Sequence, residues 1–164
     1  IIQKHGVKAR DVEKLVVRVP QEQLEVVNER EMVDISLQHL LAVMLLDGTM
    51  TFAAAHDLKR VKDPAVLKTK QLIEAVADQT IPNAVRGWRS RIAVKLKDGR
   101  TIEHETLAAK GTAENPLTRE DVKEKSLDLM APALGKKRSL ALIGALFDLE
   151  KLPNVRALRR LYSV

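Results

Sequence analysis

The 164-residue chain is 45% hydrophobic and 30% charged, which excludes an intrinsically disordered polypeptide. It contains no cysteine, which excludes disulfides, thiolate zinc sites and cysteinyl iron–sulfur clusters within it and fits a reducing, cytoplasmic setting. The net charge of +6 does not by itself predict a nucleic-acid binder, because Lys and Arg alternate with Asp and Glu, as in REDVKEK and KRVKD.

The chain has two Phe, one Trp and one Tyr, too few to offer a base-stacking platform, so its core must come from Leu, Val, Ile, Ala and Met. No apolar run reaches the roughly 18 residues that span a bilayer, so neither nucleic acid nor membrane is an expected partner. The N-terminus carries no signal-peptide pattern. The chain opens on Ile1 instead of Met, as expected of a fragment or a cleaved product.

In chain order, residues 1–10 read as the end of a helix closed by Gly6. RDVEKLVVRVP is rich in β-branched residues around Val12, Leu15, Val17 and Val19, which predicts a strand ending at Pro20. Residues 21–33 show mixed charge and no period and read as a connecting loop. Asp34 to Gly48 holds the longest apolar run, with only Gln38 and His39 polar between Leu37 and Leu46. Asp34 is a suitable N-cap and Gly48 a suitable stop, and a helix apolar nearly all round is expected to be buried on every side. Its polar residues Ser36, Gln38 and His39 crowd into the first turn, so its N-terminus is expected to open onto something polar.

TFAAAHDLKRV predicts a second helix capped by Thr51. Asp63-Pro64 predicts a third, in the N-cap then N1-proline arrangement, running to about Gln71. LIEAVADQTIP reads as a short strand running into a turn. Arg91–Lys97 and Thr101–Leu107 flank Asp98-Gly99, a strong hairpin signal, and apolar residues alternate on both arms. Ala108–Pro116 is a loop by its Gly, Asn and Pro content. Thr118 with Asp121 forms a capping-box pattern for a helix to about Met130, before Pro132. Lys137–Lys151 predicts an amphipathic helix with Leu140, Ile143, Leu146 and Phe147 on one face, and Val155–Tyr162 a last short helix.

These elements predict an α+β fold: residues 1–115 with a small antiparallel or mixed sheet and helices, and residues 116–164 as an all-helical tail in need of something to pack on.

The four histidines, His5, His39, His56 and His104, match no zinc-ligand spacing, so no metal site is predicted. No nucleophile-elbow, P-loop or dinucleotide-binding pattern is present. His56 reads as structural, and His104 on its hairpin arm is expected to face solvent. His39 and Ser36 lie three residues apart, on one side of the first turn, where free N–H groups and the helix dipole favour an anion. Lys110-Gly111 can present a cation and bare backbone N–H groups to a carboxylate. Ser36, His39 and Lys110 are therefore the candidate binding residues, weighed against a buried structural histidine and an ordinary loop lysine.

DISLQHLLAVMLLDGTMTF, DPAVL, LKDGRT, KGTAENPLTREDVKEK and LFDLEKLPNVRAL, in that order, resemble the C-terminal part of the MmgE/PrpD family, over about Gly6 to Leu161. The family includes 2-methylcitrate dehydratase, cis-aconitate decarboxylase and iminodisuccinate epimerase. The resemblance implies that residues 1–115 are most of a lid-type domain, and that 116–164 are helices belonging to a helical domain absent from this chain. It implies cofactor-free acid–base chemistry on a small anionic polycarboxylate, in a homodimer. The catalytic residues lie mostly outside this chain, on an N-terminal helical portion that would be its partner if made separately. The decarboxylase branch carries a tyrosine that would fall near Leu24 or Glu25, where this sequence has none, so the resemblance points away from decarboxylation. The alternative reading is a stand-alone, non-enzymatic binding or dimerisation module.

Overall fold

The computed structural model describes residues 1–82 and 88–163. The chain divides into two compact units, Ile1–Asn115 and Pro116–Val164. No helix among the described residues is long and apolar enough to cross a membrane. The fold is α+β, as the patterning predicts.

The first unit is built on a four-stranded mixed sheet in the order β2-β1-β3-β4. A short helix α1 (Ile2–His5) ends at Gly6, whose φ of 65° is the left-handed stop expected of it. Strand β1 (Val12–Val19) follows and ends at Pro20. Its core residues Val12 and Leu15 are three apart rather than two, and the register shift between Val12 and Lys14 resolves this. The extra residue of the bulge lets both side chains face inward.

Residues 21–33 are not wholly loop. Gln21–Val27 form α2, started behind Pro20 and composed of good helix formers, with Leu24 packed on the core. Partial burial of one leucine against the core supplies the order that an aperiodic sequence hides.

The central helix α3 spans Leu37–Asp47 and starts later than Asp34 predicts. Asp34 lies within a 3₁₀ turn, Val33–Ile35, and Ser36 is the N-cap residue. Gly48 closes the helix at φ 75°. Gln38, His39, Ala42, Val43 and Leu45 are buried, whereas Leu46 and Asp47 are exposed, so the helix is not covered on every side.

The predicted second helix breaks into α4 (Phe52–Ala55), capped by Thr51, and a 3₁₀ turn Leu58–Lys62, capped by Asp57. Two side-chain caps six residues apart make two short helices more favourable than one. Asp63 caps α5 (Pro64–Lys70) as predicted, accepting from the Ala65 N–H at 2.8 Å. Strand β2 (Ile73–Ala77) then pairs parallel with β1.

The predicted hairpin is β3 (Ser90–Leu96) and β4 (Thr101–Thr106), turning through Asp98-Gly99 with Gly99 at φ 88°. Leu15, Val17 and Val19 of β1, Ile73 of β2, and Val94 and Leu96 of β3 meet Ala42, Val43 and Leu45 of α3 and Val66 of α5 in one core. Each such aliphatic side chain contributes about 1.5–3 kcal/mol on burial. The other sheet face carries the ion pairs Lys14–Glu74, Lys95–Glu13 and Arg91–Glu105, as suits a solvated face.

In the second unit, Thr118 and Asp121 form the predicted capping box on α6 (Arg119–Leu134). The helix continues past Met130 because Pro132 sits in its last turn, where the missing N–H forfeits a single bond. Helix α7 spans Lys136–Phe147 and buries Ser139, Leu142 and Ile143, while Leu140 and Leu146 are 38% and 46% exposed. The buried face is therefore rotated from the predicted one. A 3₁₀ turn Val155–Leu158 leads into α8 (Arg159–Tyr162).

Candidate functional site

The start of α3 gathers buried polar groups in one turn. Ser36 takes the extended N-cap conformation, yet its side chain makes no capping bond, and its Oγ is buried with no hydrogen-bond partner. His39 is 4% exposed, and its Nε2 also lacks a partner. Burial chiefly, with the nearby Lys70 ammonium and Arg60 guanidinium, holds the His39 imidazole below the usual histidine range. It is therefore neutral near pH 7, and Nε2 can donate or accept according to tautomer.

Gln38, between them in sequence, is fully engaged. Its Oε1 accepts from the Glu29 N–H at 3.0 Å, and its Nε2 donates to Asn28 Oδ1. Glu29 sits at φ 47°, a region that non-glycine residues rarely adopt, and its carboxylate pairs with Lys70. The two anchors hold the 28–33 segment against the first turn of α3. Arg60 pairs with Asp47 at the far end of the same helix. These two cations thus flank α3 from α5 and the preceding 3₁₀ turn.

The sequence candidates divide accordingly. Ser36 and His39 share the first turn of α3 and both are buried, and the polar surroundings of that turn are the 28–29 backbone and side chains that Gln38 holds. Lys110 lies elsewhere, exposed on the loop after the edge strand β4, with an interaction of its own. That loop is closed by Gly111 N–H to the Asn115 carbonyl at 2.7 Å and by Asn115 Nδ2 to the Ala108 carbonyl at 3.1 Å. No described hydrogen bond or ion pair links Lys110 to Ser36 or His39. Sequence reading missed the Gln38 clamp, whose signal was a third polar residue in an otherwise apolar turn. It also missed Arg60 and Lys70, which have no local signal because the fold brings them in.

Of the other histidines, His56 Nδ1 lies 2.8 Å from the Phe52 carbonyl one turn earlier, a local structural contact. His104 is exposed, but it stands across from Ile92 and so shares the helix-covered face of the sheet. There it borders an apolar cleft of about 360 Å³ lined by Ile2, Leu41, Met44, Met50 and Ile92. Among the described residues no group of three His, Asp or Glu side chains could hold a metal ion.

Residues 1–149 match the family model described as MmgE/PrpD C-terminal domain. The chain belongs to the MmgE/PrpD family. The match takes in the whole sheet, the start of α3, the Lys110 loop and both long helices of the second unit. A search of curated proteins found no match.

Proposed function

We propose that the chain supplies the lid-type domain (1–115) and the C-terminal helices (116–164) of a cofactor-free, MmgE/PrpD-type lyase or isomerase acting on a small polycarboxylate such as 2-methylcitrate. The helical portion that carries most of the acid–base residues lies outside these 164 residues, and the complete enzyme works as a cytoplasmic homodimer. The observation that carries the reading is the pair of buried, unpartnered polar atoms at the start of α3, inside the stretch that matches the family. Buried polar atoms are nearly always hydrogen-bonded, and those that are not call for an explanation such as a catalytic or binding role.

Removing a proton next to a carboxylate builds negative charge on that carboxylate as an enediolate, which preorganised donors stabilise. A neutral His39 Nε2–H and the Ser36 hydroxyl, at a helix start that favours anions, are suited to that role. Lys110 would supply a cation to a second carboxylate. No group of this chain is assigned the proton abstraction.

Several apolar side chains of the second unit are exposed, among them Leu129 at 43%, Leu146 at 46% and Leu149 at 44%. Apolar side chains left exposed within that unit are compatible with helices that return to a helical portion outside this chain. The test is turnover of 2-methylcitrate by the 164-residue chain alone and together with a co-expressed MmgE/PrpD helical portion. No turnover alone and measurable turnover of the pair are expected. In the active pair His39→Phe and Ser36→Ala should each raise KM about tenfold, the loss of one hydrogen bond to a charged group. Turnover by the chain alone, or unaltered kinetics in both variants, would overturn the proposal.

A further inference from the structure

Some cations of this chain pair with neighbouring carboxylates: Arg60 with Asp47, Arg91 with Glu105, Lys123 with Glu120, Lys151 with Asp148. One corner of the second unit gathers six that have no such described partner. Lys136, Lys137 and Arg138 fill the first turn of α7, with no acidic residue among them and no side-chain cap. Cations at a helix N-terminus oppose the macrodipole. Arg138 Nη1 donates to the Ser163 carbonyl at 2.8 Å, which ties that turn to the end of α8, where Arg156, Arg159 and Arg160 stand. None of these six side chains is in a described ion pair, and all are exposed.

Arg156, Arg159 and Arg160, with Ala157 and Ser163, line one open concavity of about 510 Å³, with no Asp or Glu side chain among its described lining residues. Guanidinium forks match the geometry of phosphate and carboxylate oxygens, and several on one concavity favour a compact ligand with more than one negative charge. Tyr162 is the one aromatic residue of α8, too little for base stacking. The three arginines also lie beyond residue 149, outside the stretch that matches the family.

We propose that the corner formed by Arg156, Arg159 and Arg160, backed by the first turn of α7, is a binding site for a multivalent oxyanion, a ligand with clustered phosphate or carboxylate groups. The site is separate from the start of α3 and does not depend on the enzymatic reading. Titration calorimetry with inorganic pyrophosphate and, separately, citrate at physiological ionic strength tests it on the 164-residue chain. Saturable one-to-one binding of either is expected, weakened at least tenfold in the Arg156→Gln/Arg159→Gln/Arg160→Gln variant. Lys59→Gln/Lys62→Gln, which removes as exposed a pair of cations from the first unit, should leave that binding unchanged. Pyrophosphate binding alone assigns the site to phosphates and citrate binding alone to carboxylates. Absence of binding by both, or equal weakening in the triple-arginine and double-lysine variants, overturns the proposal.

Discussion

Ser36→Ala separates a binding role from a capping role at the start of α3. A serine that caps a helix loses about 1 kcal/mol, within a range of about 0.5–2, when its hydroxyl is removed. Ser36 occupies the cap position, but its Oγ is buried and accepts from no first-turn N–H. A buried hydroxyl without a partner leaves about 1–3 kcal/mol of desolvation uncompensated, so deleting it should relieve rather than impose a cost. Loss of one oxygen's packing offsets part of that gain. The expected change in unfolding free energy is therefore from zero to about 1 kcal/mol in favour of the variant, or up to about 4 °C in midpoint for a unit of this size. Urea unfolding followed by the fluorescence of Trp88, the single tryptophan and a residue of the first unit, measures it. Thr118→Ala is the internal control, because Thr118 Oγ1 does accept from the Asp121 N–H, at 3.1 Å. That variant should lose about 1 kcal/mol on the transition of the second unit, read by far-UV circular dichroism. If Ser36→Ala loses as much as Thr118→Ala, the Ser36 hydroxyl is an ordinary cap and the argument for a site at α3 fails.

Burial and two nearby cations lower the His39 pKa in the folded chain below the ordinary value near 6.5. The unfolded chain then binds more protons, so His39 favours folding fully above about pH 6.5, and that contribution is lost as pH falls toward the lowered value. Unfolding free energies from pH 7.5 to 5 should decline with a slope of at most about 1.4 kcal/mol per pH unit from this group, and His39→Phe should flatten that decline. Gln38→Ala removes both anchors that Gln38 gives to Asn28 and Glu29 and should destabilise the first unit by about 1–3 kcal/mol. Its signature is faster hydrogen exchange at the Glu29 amide; an unchanged rate there would show that the Lys70 pair alone holds the segment.

Where a residue's own chemistry determines its conformation, the chain was legible. Gly48 and Gly99 take positive φ, Asp63 caps behind a proline-started helix, Thr118 and Asp121 close a capping box, and Asp98-Gly99 turns the hairpin. The misreadings arise where two local solutions compete or where packing decides. Asp34 and Ser36 both suit an N-cap, and a 3₁₀ turn absorbs the first. The 21–33 stretch lacks a period because α2 contributes a single well-packed leucine to the core, so hydrophobic patterning could not reveal it. The face of α7 was misassigned because it carries apolar residues on more than one side, and burial falls on Ser139, Leu142 and Ile143.

The site was legible by residue type but not by environment. Three polar residues at the head of an apolar helix announce a special turn, and the fold assigns them different work. Gln38 is satisfied and holds the 28–33 segment, whereas Ser36 and His39 on the neighbouring face remain unsatisfied. A single misplaced polar atom could be an accident of packing. Two on one turn, one of them on a histidine kept neutral beside two cations already paired with Asp47 and Glu29, leave hydrogen-bonding capacity unused at the head of the helix. The pairing of those cations matters to the chemistry. Arg60 and Lys70 raise the local potential without being free to bind the ligand directly, so selectivity for a carboxylate would rest on the geometry of His39 and Ser36. Mutating Lys70 should then shift the pH dependence of ligand binding more than its limiting affinity, whereas mutating His39 should weaken the affinity itself, by about tenfold.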